Sequence, residues 1–219
     1  MAVTGLANGA VTTGYSYPVV ALYNNNGGTV TYSNGMDLAR GVSVDPSIET
    51  SGDNNVFYAN NAAAEEAQQR FRRGTATLTV DGLLRAAENL ILGVTTAESL
   101  TVGTATVTMH DNDDDQQIPY VGIGFVVRRQ SAGVEFFQAI VYPKARFAQF
   151  APGAATEEED IDWQPQELEA TLLRDDTAKH RWQRVSDPLA TELEAYNTVR
   201  VALGMSVATA VPGNGAVAT

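Results

Sequence analysis

Hydrophobic and polar residues alternate along the first part of the chain, a pattern typical of half-buried strands. Residues 17–23 begin with Tyr-Pro and continue as an apolar run, and residues 29–32 alternate after a turn-like Asn24–Gly28 segment. The following Asn34-Gly35 pair is the strongest short hairpin signal in the chain. The pattern therefore predicts a returning strand over residues 38–48.

Further strands are predicted downstream. Residues 75–80 alternate and are rich in β-branched side chains, and residues 167–174 alternate at Leu168, Ala170 and Leu172. The apolar runs 120–129 and 134–142 are separated by Gln-Ser-Ala-Gly and predict a second hairpin with most of the core. Residues 62–73 are ambiguous between helix and strand.

Two segments have helical spacing. In residues 81–92 the apolar positions are three and four apart, Asp81 is the predicted N-cap, and Gly93 is the predicted end. Asp187-Pro188 opens a second periodic segment, which contains Leu189, Leu193, Tyr196 and Leu203 and ends before Gly204. The predicted fold class is mainly β (α+β), with flanking helix.

Composition predicts one domain with a terminal segment outside it at each end. Residues 1–16 are mostly Gly, Ala, Thr and Asn, too few apolar groups to offset the entropy lost on ordering, and predict a flexible arm. Residues 17–204 form the predicted domain. Residues 205–219 are a small-residue tail.

Charge and cysteine content narrow the function classes. The 219 residues include 26 Asp and Glu against 14 Lys and Arg, a formal charge of −12, which disfavours general attraction to nucleic acid. The absence of cysteine excludes disulfides, thiol catalysis and cysteine-ligated zinc. We expect neither a membrane span nor a secretory leader, because no sufficiently long apolar run occurs.

Motifs for catalysis or cofactor binding are incomplete. Residues 110–115 place acids as in a calcium loop, but Gln116 and Gly122 stand where glycine and glutamate are needed, so a solvated hairpin tip is expected. Gly122-Ile123-Gly124 begins a dinucleotide fingerprint that Val127 breaks. Residues 157–160 with Asp162 offer glycosidase-like carboxylates, although such a charge run is more typical of a solvated loop.

The order of the segments is more informative than any one motif. SYPVVALYNNNGGTVTYSNGMDLARGVSVDPSIET, then DNNVFYANNAAAEEAQQRFRRGTATLTVDGL, resembles the opening of the major tail proteins of long-tailed, non-contractile bacteriophages and related prophages. PYVGIGFVVRRQSAGVEFFQAIVYPKARFAQF is similar to their central hairpin, and IDWQPQELEATLLRDD to their late strand pair. The resemblance covers roughly residues 17–185 and rests on colinear blocks such as Gly-Thr-x-Thr-Leu-Thr, Tyr-Pro-Lys and Trp-Gln-x-x-Glu-Leu.

The resemblance implies a tail tube protein: a β-sandwich or barrel-like domain with a flanking helix and long hairpin loops, forming hexameric rings that stack into a hollow tube. It implies no active site, no cofactor and no metal. The implied partners are other copies of the chain and the tape measure, tail terminator and distal tail proteins. Phage DNA would pass through without specific binding, and the location would be the virion tail, assembled in the host cytoplasm.

Two sets of residues are candidates for this role. An acidic lumen would repel passing DNA phosphates, and its candidates are Glu49, Asp53, Glu65, Glu66 and Glu135. Candidates for assembly loops are Asn25, Gly27, Gly28, Arg70, Arg72 and Arg73. The arginines around Phe71 also suit a nucleic-acid site, but an intersubunit salt-bridge strip explains them equally well.

Three other classes remain open. An enzyme would be a glycoside hydrolase using carboxylates such as Glu157 and Asp162. A binding or host-attachment module would have to bring Trp163 and Trp182 together on one surface. A tail terminator or capsid decoration protein would be a different structural component of the virion.

Overall fold

A computed structural model describes residues 9–51, 56–59, 62–66, 69–151, 153 and 164–213, and for 56–59 and 62–66 it describes the backbone alone. The elements over these residues are strands and two short helices. The strands are β1 Val11–Asn26, β2 Thr29–Asp37, β3 Gly41–Thr50, β4 Val56–Ala59, β5 Ala62–Glu66, β6 Phe71–Val80, β7 Thr96–Val102, β8 Ala105–Asp111, β9 Val121–Ser131, β10 Val134–Phe147, β11 Gln166–Leu173 and β12 Arg184–Val185. The helices are α1 Arg85–Leu92 and α2 Glu192–Ala202.

Eight of the strands form one antiparallel sheet. Its order is β2-β1-β9-β10-β11-β6-β3, with β12 paired to β10 beside β11. Two separate hairpins, β4–β5 and β7–β8, lie outside it. The mainly β prediction is therefore confirmed.

The sheet curves around a first hydrophobic core. Its inward side chains come from the alternate positions of the strands, and β3 lies beside β1. In the connection between β2 and β3, the Leu38 amide donates to the Pro18 carbonyl of β1 at 2.8 Å. Helix α1 contributes Ala87, Ile91 and Leu92 to the same core. Burying this continuous apolar surface is the main favourable term for folding. The largest fully buried members are Tyr142, Phe125, Phe147, Leu38, Leu78, Ile91, Ile123, Leu168 and Leu172.

A second core lies between the opposite face of β1, β9 and β10 and helix α2. Gly122 and Gly124 make this packing possible, because an added Cβ would lie 2.5 Å from Leu203 Cδ2 or from Val199 Cγ1. Both glycines lie inside β9 and not at a strand-to-helix turn. The Gly-Ile-Gly segment therefore serves helix packing in this fold.

The N-terminal part departs from the predictions. The flexible-arm prediction is wrong for residues 11–16, which belong to β1 and pair with β9. The hairpin predicted at Asn34-Gly35 is also wrong, since both residues stand opposite Ala21 as a bulge within β2, with Asn34 at φ 51°. The turn predicted within Asn24–Gly28 is confirmed at Gly27 and Gly28, both with positive φ, and β3 pairs with β6.

Both predicted helices exist but begin later than expected. The Asp81 cap prediction is wrong: the Asp81 carboxylate pairs with Arg40, and α1 begins at Arg85 with no side-chain cap. Gly93 ends α1 in the left-handed conformation, as predicted. Helix α2 begins at Glu192 because residue Leu189 is held in a β-bridge with Phe137, and the Thr191 hydroxyl caps it by accepting from the Glu194 amide at 3.2 Å.

Among the remaining segments, the predicted strands are confirmed, one ambiguous segment is resolved and one hairpin was missed. The 120–129/134–142 hairpin is confirmed as β9 and β10, and the 75–80 strand as part of β6. Residues 167–174 are confirmed as strand through Leu173. The ambiguous 62–73 segment contains β5 and the start of β6, with no helix in its described residues, and the β7–β8 hairpin was not predicted. After α2, the Ala208 amide and carbonyl both bond the Asn197 side chain.

The close approach of α2 to β9 gives a stability prediction. We expect Gly124→Ala to reduce the free energy of unfolding by about 1–3 kcal/mol, because its methyl group overpacks the contact with Val199. The measurement is equilibrium denaturation in urea. Gly82→Ala is the matched control, since an added Cβ there has no neighbour within 4 Å. Equal losses in the two variants would contradict the packing role of Gly124.

A buried tyrosine links α2 to β2. The Tyr196 hydroxyl donates to Asp37 Oδ1 at 2.7 Å and accepts from Arg200 Nη1 at 3.1 Å. Burial, and then the hydrogen bond to Asp37, raise the pKa of Tyr196 to about 12. Because the folded-state pKa is the higher one, folding favours the protonated phenol.

The raised pKa predicts a specific alkaline response. The contribution of Tyr196 to stability is full below pH 10, its ordinary pKa, and is lost as pH rises towards about 12. We expect Tyr196→Phe to lower stability at pH 8 and to flatten its decline above pH 10, measured by denaturation across that range. A variant that declines as steeply as the original chain would contradict the assignment.

Candidate functional site

One half of the sheet has a face that no described element covers. The side chains of β11, β6 and β3 that point away from the first core are polar, whereas those of β1, β9 and β10 on the corresponding side pack against α2. We call this surface the open face. Its members are Ser43, Asp45, Ser47 and Glu49 on β3, Arg73, Thr75, Thr77 and Thr79 on β6, and Glu167, Glu169 and Thr171 on β11.

Strand register places these side chains in rows across the open face. Glu169 stands opposite Thr77, which stands opposite Asp45, and Glu167 is in the next row beside Thr79. Thr171 pairs with Arg146 of β10, which extends the face by one strand. The surface therefore combines acids with β-branched hydroxyl side chains, which suit a strand that is not covered by apolar groups.

Charge is unevenly distributed along the open face. At one end Asp45, Glu167 and Glu169 have no ion-pair partner among the described residues. At the other end Glu49 receives a hydrogen bond from Arg73 Nε at 2.7 Å, and Arg73 holds the pKa of this exposed carboxyl below its ordinary value. The face is thus acidic at one end, and towards the other end it carries the Glu49–Arg73 pair and the exposed Arg146.

The paired end is bordered by a second ion pair. Lys144 Nζ lies 2.8 Å from Asp176 Oδ2, and the Tyr23 hydroxyl donates to the same oxygen at 2.8 Å. The hydrogen bonds from Lys144 and then from Tyr23 hold the pKa of Asp176 below its ordinary value. Lys144 also lies 4.6 Å from the centroid of the Tyr120 ring, a cation–π distance.

The predicted lumen acids do not share one surface. Glu49 lies on the open face, but Glu135 lies on the side of β10 that α2 covers, near Arg128 and 3.9 Å from its Nε. Asp53 lies outside the described residues, and Glu65 and Glu66 are in β5, where only the backbone is described. Sequence reasoning missed Asp45, Glu167 and Glu169. The alternation of Glu167 and Glu169 with Leu168 and Ala170 was the signal that could have found the two glutamates.

The predicted assembly residues are linked by one segment. Asn25, Gly27 and Gly28 form the β1–β2 turn, where the Asn25 side chain accepts from the Gly28 amide at 2.9 Å. A Cβ on Gly28 would lie 3.6 Å from the Asp176 carbonyl, and Arg174 donates to the Phe71 carbonyl beside the exposed Arg70, Arg72 and Arg73. Residues 174–182 therefore connect the turn to the start of β6.

The described residues do not bring the other candidate metal-binding, catalytic or carbohydrate-binding side chains together. Among the described residues no group of three or more His, Asp or Glu side chains is placed to hold a metal ion. The acidic run at Asp111 follows β8 at the base of the β7–β8 hairpin, so the predicted position at a tip is wrong; the tip is at Gly103. Residues 157–160, Asp162 and Trp163 lie outside the described residues, and Trp182 stacks on Phe71 at 4.8 Å between ring centroids.

Comparisons with known proteins add no assignment. No protein-family model matches the sequence, and a search of curated proteins finds no match. Over the described part of the chain, neither helix has the length and apolar character needed to cross a membrane.

The Asp176 network predicts an acid-dependent loss of stability. Its contribution is present at pH values above the ordinary aspartate pKa of 3.8 and is lost as pH falls through the lower folded-state value. We therefore expect Asp176→Asn to be less stable than the original chain at pH 7, with the difference narrowing at pH 3. Denaturation midpoints at the two pH values measure this.

Asp187→Asn is the control for the Asp176 variant. Asp187 is an exposed aspartate whose carboxylate has no ion-pair partner among the described residues. We expect this variant to follow the original chain at both pH values. If Asp187→Asn and Asp176→Asn behaved alike, the Lys144–Asp176 pair would not be the source of the effect.

Proposed function

We propose that this protein is a major tail protein of long-tailed, non-contractile bacteriophages or related prophages. In this role it assembles as hexameric rings that stack into the tube through which DNA passes. The observation that carries the proposal is the open face, a broad, polar, acid-bearing sheet surface that no described element covers. The colinear sequence blocks over residues 17–185 support the same class.

The edges of the sheet support assembly with other copies. Within the described residues, β2 and β3 are the two ends of the sheet order, and most of β3 is exposed. A free edge presents unpaired backbone groups, and closing a ring of subunits is one way to cover such edges. Identical contacts around a ring and along a stack then follow from symmetry.

The charge of the open face supports its position on the lumen. DNA phosphates bind basic surfaces with release of counterions, so a basic lining would retain DNA and an acidic one would not. Asp45, Glu167 and Glu169 supply negative charge on this face that no described residue pairs. In the proposed tube these three replace Glu135 among the lumen candidates, and Glu49 remains as a residue paired with Arg73.

The proposed partners follow from the same class. Other copies of the chain form the rings and the stack, and the tape measure, tail terminator and distal tail proteins contact the tube inside and at its ends. The location is the virion tail.

Electron microscopy tests the proposal directly. We expect negative-stain images over a concentration series, with light scattering on the same samples, to show hollow rings or uniform tubes. Because assembly can require an initiating complex, purified virions of the source phage or induced prophage are probed for the protein in parallel. A protein that forms no rings and is absent from virion tails would contradict the proposal, and single rings that never stack would favour a terminator.

The acidic lumen predicts the effect of charge reversal. We expect tubes of the Glu167→Lys/Glu169→Lys variant to form normally but to deliver DNA about tenfold less well, because lysines on the lumen bind phosphates. The measurement is DNA ejection from purified virions carrying the variant. Glu135→Lys/Asp187→Lys changes the net charge equally and is the control. Unchanged delivery by the first variant in normal tubes would refute an acidic lumen on this face.

A further inference from the structure

The β7–β8 hairpin has two chemically different faces. Its register pairs Leu100 with Val107, Glu98 with Met109 and Val102 with Ala105, so these side chains lie on one face. The other face carries Ala97, Ser99, Thr101, Thr106, Thr108 and His110. We call the first, formed by Leu100, Val102, Val107 and Met109, the hairpin face.

The hairpin face has no cover within the described part of its own chain. All four of its apolar side chains are exposed, and Val102 is 64% exposed. The base of the hairpin is held through polar contacts: Asn89 Nδ2 of α1 lies 3.3 Å from His110 Nδ1, and Thr96 donates to Asp113 at 3.2 Å. A two-stranded hairpin is marginal alone, so packing its apolar side would stabilise it.

Charge indicates what covers this face. Residues 86–127 contain six Asp and Glu and no Lys or Arg. On the hairpin face, Glu98 and Asp111 stand at the base of the apolar patch. The complementary surface must therefore offer apolar contact beside positive charge.

The chain itself offers such a surface in a groove between β2, β12 and α2. The groove has a volume of about 400 Å³ and is lined by Val30, Arg181, Arg184, Val201 and Ala202, among others. Val201 is 57% exposed. We call this surface the basic groove.

The positive charge of the basic groove is available for a partner. Asp175 is buried and engages Arg181, and Asp176 engages Lys144. Arg184, which lines the groove, is exposed and has no ion-pair partner among the described residues.

We propose that the hairpin face of one copy docks in the basic groove of a second copy. The apolar side chains of the hairpin pack against Val201, and Glu98 and Asp111 lie opposite Arg184. The contact joins two different patches, so it is heterologous and repeats from copy to copy into a ring or a stack. It rests on the proposed function, since it supplies a contact that such an assembly needs.

Cysteine cross-linking tests the contact, because the chain has no cysteine of its own. Val102→Cys and Val201→Cys chains are mixed at high concentration under mild oxidation, and the mixed disulfide dimer is identified by mass. Thr101→Cys mixed with Val201→Cys is the control, since Thr101 is the adjacent residue on the other face. We expect the Val102 pair to cross-link about tenfold faster, because docking raises the effective concentration of the two thiols.

Charge exchange tests the orientation of the contact. We expect Arg184→Glu in the Val201→Cys chain to slow cross-linking several-fold, and Glu98→Lys/Asp111→Lys in the Val102→Cys chain to restore it. Failure of the exchanged pair to recover would overturn the proposed charge pairing. Equal rates for Val102 and Thr101 would overturn the contact and leave the hairpin face to a different protein.

The two proposals fail separately. Rings or tubes combined with equal cross-linking rates would leave the tail tube function standing and remove this contact. Preferential cross-linking of a protein that forms no rings and is absent from virion tails would leave the contact and remove the tube function.

Discussion

The fold depends on strand β9 being buried on both of its faces. Val121, Ile123, Phe125 and Val127 point into the first core, whereas Gly122, Gly124 and Val126 lie beneath α2. Both layers are therefore built against one strand. Because the helix approaches the backbone of β9 directly, the two glycines are fixed by packing volume and not by turn geometry.

Among the described elements, α2 covers one half of the sheet face and none covers the other half. Helix α2 spans β1, β9 and β10, and the strands beyond them, β11, β6 and β3, have polar side chains where a second helix would need apolar ones. The sequence of the uncovered strands is thus consistent with their exposure. The open face arises because α2 does not extend over β11, β6 and β3, and because these strands have threonine and acidic residues at the alternate positions that point to that side.

Strands with buried alternation were predictable, and elements set by distant contacts were not. β6 and β11 were found because every second residue faces the first core, and β9 and β10 were found because burial on both faces makes them continuous apolar runs. Asn34-Gly35 was misassigned because its positive φ also suits a bulge, and only pairing with β1 decides between bulge and turn. The β7–β8 hairpin was missed because its exposed strands are bordered by no strong turn signal.

In the candidate site, too, sequence alternation predicted some residues, and distant contacts decided the others. Alternation alone places Glu167 and Glu169 opposite the core, so these two were within reach of sequence reasoning. Glu135 also alternates with core residues, but its face is the one that α2 occupies, a fact that depends on residues sixty positions further along the chain. Sequence pattern thus identifies which residues share a face, and tertiary packing decides which face is covered.

The threonines of the open face also determine how this exposed sheet surface behaves in water. Thr75, Thr77 and Thr79 have the β-branched shape that favours extended backbone, yet each ends in a hydroxyl that water solvates. An uncovered sheet with valine at these positions would be adhesive towards any other uncovered sheet. Threonine gives the strand the same stiffness while lowering the driving force for indiscriminate aggregation.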